Sequence, residues 1–290
     1  MGNKKLNIIT INRNNAEGLR KTMESVFSQT CKEFEYIVID GASTDGSVEV
    51  IKDYVNQLEI GDWRLENFRW ISEPDSGIYE AMNKGLKMAH GEYALMLNSG
   101  DYLVDEYVVE KIMPELHTED MIQGNVIEEY PDKTIRYCGY GKSDISFIDV
   151  MDAYFPHQAM FIRLSAMEKY GYYDESYKKA ADSYFFISAM GIGNATFRYV
   201  DIDIANFDPN GISSMNDPKW IQIDREEDAR WYGEHISNRL LNLYQDVPKK
   251  IKLYDQLHKH KLIWYLAMGL VRISEWLSPT QSNVKIERIK

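Results

Sequence analysis

Oxygen-bearing side chains stand at the ends of apolar runs in this chain. Thr10 and Asn12 close the run that starts at Leu6, Asp40 closes Glu35-Tyr36-Ile37-Val38-Ile39, and Asn98 and Asp101 follow Leu95-Met96-Leu97. Carboxylates and amides gathered along one edge can grip a ribose, the edge of a base, or a hard cation such as Mg2+ or Mn2+, which prefers oxygen ligands. Such an edge repels a bare phosphate, so its natural ligand is a diphosphate bridged by a divalent ion that neutralises the charge.

Other chemistries lack their residues. No G-x-G-x-x-G follows the first apolar run and no G-x-x-x-x-G-K-[ST] occurs, so the phosphate cradles of dinucleotide-binding and P-loop proteins are missing. The histidines do not form H-E-x-x-H and the serines do not form G-x-S-x-G, which argues against a zinc hydrolase or a serine hydrolase. A net charge of -12 disfavours nucleic acid as a partner, because Lys and Arg must neutralise phosphates there.

The first hundred residues, which carry most of these strand ends, alternate strand and helix. Leu6–Ile11 reads as a buried strand. Leu19, Met23, Val26 and Phe27 then recur at helical spacing behind Asn14 or Asn15 as N-cap. Residues 35–40 read as a second strand, and Val48, Ile51, Val55 and Leu58 lie on one helix face. A third strand over Phe68–Ile71 runs into the turn Glu73-Pro74-Asp75-Ser76-Gly77, then a helix with Ile78, Met82, Leu86 and Ala89 inward, then the strand Tyr93–Leu97. Helical crossovers imply parallel strands, whose ligands bind in the crevice outside the strands' carboxyl ends.

Past Asp101 the pattern changes. A helix over 105–116, strands over 121–128 and 134–140, the segment Pro156–Ile162, helical patterns over 165–170 and 181–190, and a strand over 196–203 predict a mixed sheet. Asp208 and Asn210, ahead of Gly211-Ile212-Ser213-Ser214, read as a loop that could close over a ligand. From Trp220 onward the sequence reads as helix alone. The expected division is therefore 1–215, made of a donor half (1–101) and an acceptor half (102–215), with a helical region over 216–290.

Five segments together resemble family-2 glycosyltransferases of the GT-A fold: Thr10-Ile11-Asn12-Arg13-Asn14, Asp40–Ser47, Glu73–Gly85, Leu97-Asn98-Ser99-Gly100-Asp101, and Pro156-His157-Gln158-Ala159 continuing through Gly171-Tyr172-Tyr173-Asp174-Glu175 to Ala181-Asp182. The resemblance covers roughly the first 215 residues and implies an α/β GT-A fold, a Rossmann-like nucleotide-binding mixed sheet flanked by helices, with a C-terminal helical extension. It implies inverting transfer of a sugar from a nucleotide diphosphate, with a UDP-sugar favoured, to a hydroxyl of a saccharide or lipid-linked acceptor in surface polysaccharide synthesis. Carried over residue by residue, Thr10, Asn12, Asp40 and Asp45 would hold the nucleoside. Asp75, Gly77, Asn83 and Asn98 would line the donor pocket, and Asp101 would bind Mn2+ or Mg2+. Asp182 would be the general base, and His157 a contact to acceptor or diphosphate. The chain departs from the family at Asn98-Ser99-Gly100-Asp101, where most relatives carry an aspartate-rich D-x-D-D; one carboxylate remains. A catalytically weak sugar-nucleotide-binding protein stays open as the alternative, whereas a processive synthase lacks its Q-x-x-R-W motif.

Two widely separated cysteines, Cys31 and Cys138, make no disulfide framework and fit a reducing compartment. The first residues enter a strand without the apolar segment of a secretory signal, and no run of apolar residues is long enough to span a bilayer. A cytoplasmic protein is the expectation. Lys249, Lys250, Lys252, Lys259 and Lys261 precede the uncharged run Leu262–Val271, then Arg272, Ile273, Trp276 and Leu277. That pattern fits a helix lying on the inner face of the membrane, a helix packed on its own domain, or a homodimer contact.

Overall fold

The computed structural model describes residues 4–58, 67–130, 133–138, 143, 145, 149–150, 155–208 and 217–236. The chain from Met1 to Arg230 forms one compact unit and Trp231–Lys290 a second. The basic and apolar stretch expected between Lys249 and Leu277, the loop over 209–216, and the end of the expected strand over 134–140 lie outside the described residues.

A parallel quartet forms the first half. β1 (Leu6–Asn12) is buried at every position. It pairs in parallel with β2 (Phe34–Asp40) on one side and β4 (Tyr93–Met96) on the other, while β3 (Phe68–Ser72) extends the sheet beyond β2. Burial on both faces is why β1 and β2 read as nearly unbroken apolar runs and not as alternating ones. The crossovers are α1 (Ala16–Phe27), α2 (Ser47–Leu58) and α3 (Ile78–Met88). Asn15 caps α1 by accepting the Gly18 N–H at 3.1 Å, and Leu19, Met23 and Val26 form its buried stripe.

The second half reverses direction. Its elements are β5 (Tyr102–Leu103), α4 (Val108–Ile112), β6 (Met121–Tyr130), β7 (Lys133–Tyr137), β8 (Met160–Arg163), α5 (Leu164–Tyr170), α6 (Ala181–Phe186), β9 (Phe197–Phe207) and α7 (Pro218–His235). The sheet runs β3-β2-β1-β4-β8-β6-β9-β5, with β7 hanging on β6. β8 is antiparallel to β4 and to β6, and β9 is parallel to β6 with register shifts around Asn125. This is the expected mixed sheet flanked by helices.

Several elements differ from their expected bounds: the helix expected over 181–190 is α6 followed by a π-helix over Ile187–Ile192, β6 runs two residues past 128, and two further departures have a clear cause. The helix expected over 105–116 is a short α4 followed by a 3-10 turn over Met113–Glu115, because Pro114 lacks the N–H that would continue the α-helical ladder. β9 continues to Phe207, four residues past the expected end at 203, because the shifted register lets Ala205, Asn206 and Phe207 keep pairing with β6. No helix among the described residues is long and apolar enough to cross a membrane.

Candidate functional site

A cavity of about 700 Å³ opens where β1 and β4 end, lined among others by Asn12, Arg13, Asp75, Gly77, Tyr79, Asn98, Asp101, His157, Lys178, Lys179, Asp182, Asp208 and Asp224. Seven of the eleven residues expected at the site reach its wall: Asn12, Asp75, Gly77, Asn98, Asp101, His157 and Asp182. They come from opposite halves of the sheet.

The loop Asn98–Asp101 is tied down by α1. Asn15 Nδ2 donates to the Ser99 carbonyl at 3.0 Å, and the Thr22 hydroxyl accepts from the Gly100 N–H at 3.0 Å and donates to the Asp101 carbonyl at 2.6 Å. Gly100 adopts φ +108°, and a Cβ there would lie 2.9 Å from Asp208 Oδ2, so the turn requires glycine both for its conformation and for the approach of Asp208. Asp101 is 4% exposed and accepts the Asp208 N–H at 2.9 Å. Burial raises its carboxyl pKa to about 6, against the pull of that N–H, His157 and Gln158.

Four polar side chains form a hydrogen-bonded row across the cavity wall. Tyr79 on α3 donates to Asp182 Oδ1 at 3.0 Å, His157 Nδ1 lies 3.0 Å from Asp182 Oδ2, and His157 Nε2 lies 3.1 Å from Asn98 Nδ2. Burial alone would raise the Asp182 pKa, but the His157 bond and charge, with Tyr79 and the Ser183 N–H, hold it below the ordinary carboxylate range. For His157 burial pulls down, and Asp182 with Asp101 behind it outweighs this, so its pKa is raised. Asp182 is therefore ionised at neutral pH. Asn98 Oδ1 and Asn12 Oδ1 are buried without a hydrogen-bond partner among the described residues, two acceptors left over on a cavity wall.

The other four expected residues do not line the cavity, and their polar groups are bonded to other parts of the chain. Asp40, fully buried, accepts from Asn12 Nδ2 at 2.8 Å, the Ser43 hydroxyl at 2.6 Å, the Ser43 N–H at 3.0 Å and the Ser72 hydroxyl at 2.6 Å; burial would raise its pKa, but these donors leave it lowered. Thr10 Oγ1 meets the Tyr36 hydroxyl at 3.0 Å beneath the sheet. Asp45 is exposed and accepts the Ala16 N–H at 2.8 Å and the Ser47 hydroxyl at 2.6 Å, which joins its loop to α1 and to the start of α2. Asn83 Nδ2 donates to the Tyr173 carbonyl at 2.8 Å and to Glu175 at 2.9 Å, clipping the 171–175 segment onto α3.

Asp75, whose side chain is 6% exposed, faces the Arg13 guanidinium at 3.4 Å; burial raises its pKa more than Arg13 and Lys84 lower it. Tyr79 carries no motif that marks it in the sequence, although the helical repeat that places Met82 inward also places Tyr79 inward. Lys178, Lys179 and Asp224 carry none either. A hard cation would find oxygen donors at Asp101, Asp208 and the leftover Asn98 Oδ1. Among the described residues no three His, Cys, Asp or Glu side chains gather as a metal site, so its remaining ligands would come from substrate phosphates and water.

Comparison with known proteins supplies the context. The family model for glycosyl transferase family 2 matches residues 7–170. An uncharacterised glycosyltransferase of Mycobacterium tuberculosis strain H37Rv is 32% identical over 224 residues, which cover 74% of this chain and 79% of that one. Among solved structures, S. aureus TarS 1-349 in complex with UDP-GlcNAc is similar with a TM-score of 0.59 at 18% identity, covering 77% of this chain and 65% of that one. The mannosyltransferase PcManGT from Pyrobaculum calidifontis in complex with GDP-Man and Mn2+ is similar with a TM-score of 0.56 at 14% identity, covering 93% of this chain and 87% of that one.

Proposed function

The chain belongs to glycosyl transferase family 2, and from that premise we propose that it is an inverting enzyme that moves a sugar from a nucleoside diphosphate to an acceptor hydroxyl, with Asp182 as the general base. The observation that carries this reading is the row Tyr79, Asp182, His157, Asn98, which sets an ionised, partly buried carboxylate on one cavity wall with the Asn98–Asp101 loop. The parallel half contributes the donor side and the mixed half the acceptor side.

In the proposed reaction the acceptor oxygen forms a bond to the anomeric carbon, the bond from that carbon to the diphosphate oxygen breaks, and the acceptor proton passes to the Asp182 carboxylate. Tyr79 and His157 hold both carboxylate oxygens in place, and a positioned base of this kind contributes about 10^2 to 10^4 in rate. Asp101 and Asp208 would hold Mn2+ or Mg2+, which when bound stabilises charge on the departing diphosphate. Asp101 suits this role by chemistry and place: its carboxylate stands at the end of β4 against Asp208, with Asn98 Oδ1 on the same cavity wall. TarS is solved with UDP-GlcNAc, which supports a UDP-sugar as donor here, and PcManGT with Mn2+, which supports a divalent ion. The acceptor is proposed to be a saccharide or lipid-linked saccharide of a surface polysaccharide, handled at the cytoplasmic face of the membrane.

The test is a thermal-shift panel of UDP-, GDP- and dTDP-sugars with and without Mn2+, because a ligand that binds only the native state raises its melting temperature. One base should stabilise the chain, and more so with metal. Asp182→Asn should keep that shift while donor turnover falls about 10^2-fold or more. No shift with any donor, or full turnover in Asp182→Asn, would sink the proposal.

A further inference from the structure

α7 lies beyond the residues that match the family model, 7–170, yet it grips the segment that leads into Asp182. Glu227, 8% exposed, accepts the main-chain N–H groups of Lys178, Lys179 and Ala180, the last two at 3.1 and 3.3 Å. The residues from Gly171 to Ala180 form turns and bends with no strand or helix of their own, so these three consecutive amides have no ladder to join. One carboxylate from another element takes the place of a ladder. Ala181 then begins α6 and Asp182 follows.

Neighbouring contacts act on the same segment. Lys179 Nζ meets Asp224 at 3.0 Å, the Tyr184 hydroxyl donates to Asp228 at 2.9 Å, and Arg230 donates to Ser176 Oγ at 2.8 Å while lying 3.7 Å over the Tyr177 ring. Asp224, Glu227 and Asp228 are spaced by three and four residues and so share one face of α7. Lys178, Lys179 and Asp224 also line the cavity with Asp182.

We infer that Glu227 is a positioning residue for Asp182: by fixing the turn at 178–180 it sets where α6 begins, and with it where the proposed base stands relative to Tyr79 and His157. The inference rests on the reading of Asp182 as the base. Charge-assisted bonds to a carboxylate are the strong ones, and three of them converge on this one turn. A base displaced by about 1 Å can lose about 10^2 in rate, so the contact matters to chemistry more than to the fold.

The test is Glu227→Gln in the full chain, which keeps the shape of the side chain and sets an NH2 group against a main-chain N–H. Hydrogen exchange across residues 176–182 should quicken while exchange in β1 and β2 stays as in the wild type, which shows the variant folded. Turnover of the nucleotide sugar that stabilises the wild type should fall about 10- to 100-fold with its dissociation constant unchanged. Unchanged exchange at 176–182, quicker exchange with full turnover, or a parallel loss of donor binding would each overturn the inference and leave the enzyme reading standing. A wild-type chain that turns over no nucleotide sugar removes the enzyme reading, and this inference with it.

Discussion

Asp101 sits where its proposed role as a metal ligand and the stability of the fold pull in opposite directions. Its folded pKa of about 6 lies above the ordinary 3.8, so the native state favours the protonated carboxyl. The stability this supplies is complete below the ordinary value and is lost as pH rises through the folded one. That difference corresponds to about 3 kcal/mol. In chelator, Asp101→Asn should melt higher than the wild type at pH 8 and by about half that margin at pH 5, since the amide oxygen can still accept the Asp208 N–H while the wild-type carboxyl is already partly ionised in the unfolded chain. Melting curves at the two pH values check this; a wild type that melts higher at pH 8 would show that ionised Asp101 is compensated by neighbours. The variant should also lose any stabilisation by Mn2+. At this scale the sequence announced Asp101, Asn98, His157 and Asp182, because strand ends and family motifs mark them. It could not announce that Asp40, with four donors around it, and Asn83, bonded to Tyr173 and Glu175, spend their polar groups inside the protein. The same residue types serve a ligand or a loop, and only the surroundings decide between them.

The helix α3 positions Tyr79 by lying flush on the sheet. A Cβ at Gly85 would stand 2.3 Å from Ile9 Cγ2 and 3.4 Å from Ile39 Cγ1, in the buried middle of β1 and β2. Alanine gains about 1 kcal/mol of helix propensity over glycine. Overpacking a β-branched neighbour in a closed core costs about 1–3 kcal/mol, and Ile9 has no exposed side to retreat to. Gly85→Ala should therefore be net destabilising and lower the urea midpoint. Gly77→Ala, at the start of the same helix, should leave that midpoint unchanged, because its φ of 161° is ordinary extended backbone and nothing stands within 4 Å of the added carbon. Equal midpoints for the two variants would refute the close-packing account. The elements were legible because the patterns are strong: β1, β2 and β4 are mostly apolar runs, and α1 and α3 carry clear stripes. The grip of α7 on the 176–184 segment was not legible, since Glu227 sits in an acidic helix whose pattern names no partner. It became visible only once three backbone amides converged on one carboxylate.

Over the whole molecule, the order β3-β2-β1-β4-β8-β6-β9-β5 makes both proposed halves one sheet, with β8 as the strand between them. β8 pairs with β4 through Tyr93, Ala94 and Leu95 and with β6 through Met121, Ile122 and Gln123, so neither half can open without exposing a fully buried ladder of the other. Local opening should then be graded by position in the sheet and not by membership of a half. β1, buried at all seven positions between two partners, and the first three residues of β6, buried and paired on both sides, should exchange their amides only through global unfolding. β7 pairs with β6 alone and is largely exposed, so its amides should exchange through local fraying, as should those at the exposed end of β3. Hydrogen exchange in increasing urea separates the two cases: global exchangers share one denaturant slope, and fraying amides show almost none. If β1 and the start of β6 showed different slopes, the two halves would be separate folding units. The crevice between Asn98 and Asp182 would then be an interface between two bodies, and its hydrogen-bonded row a contact that either body could break.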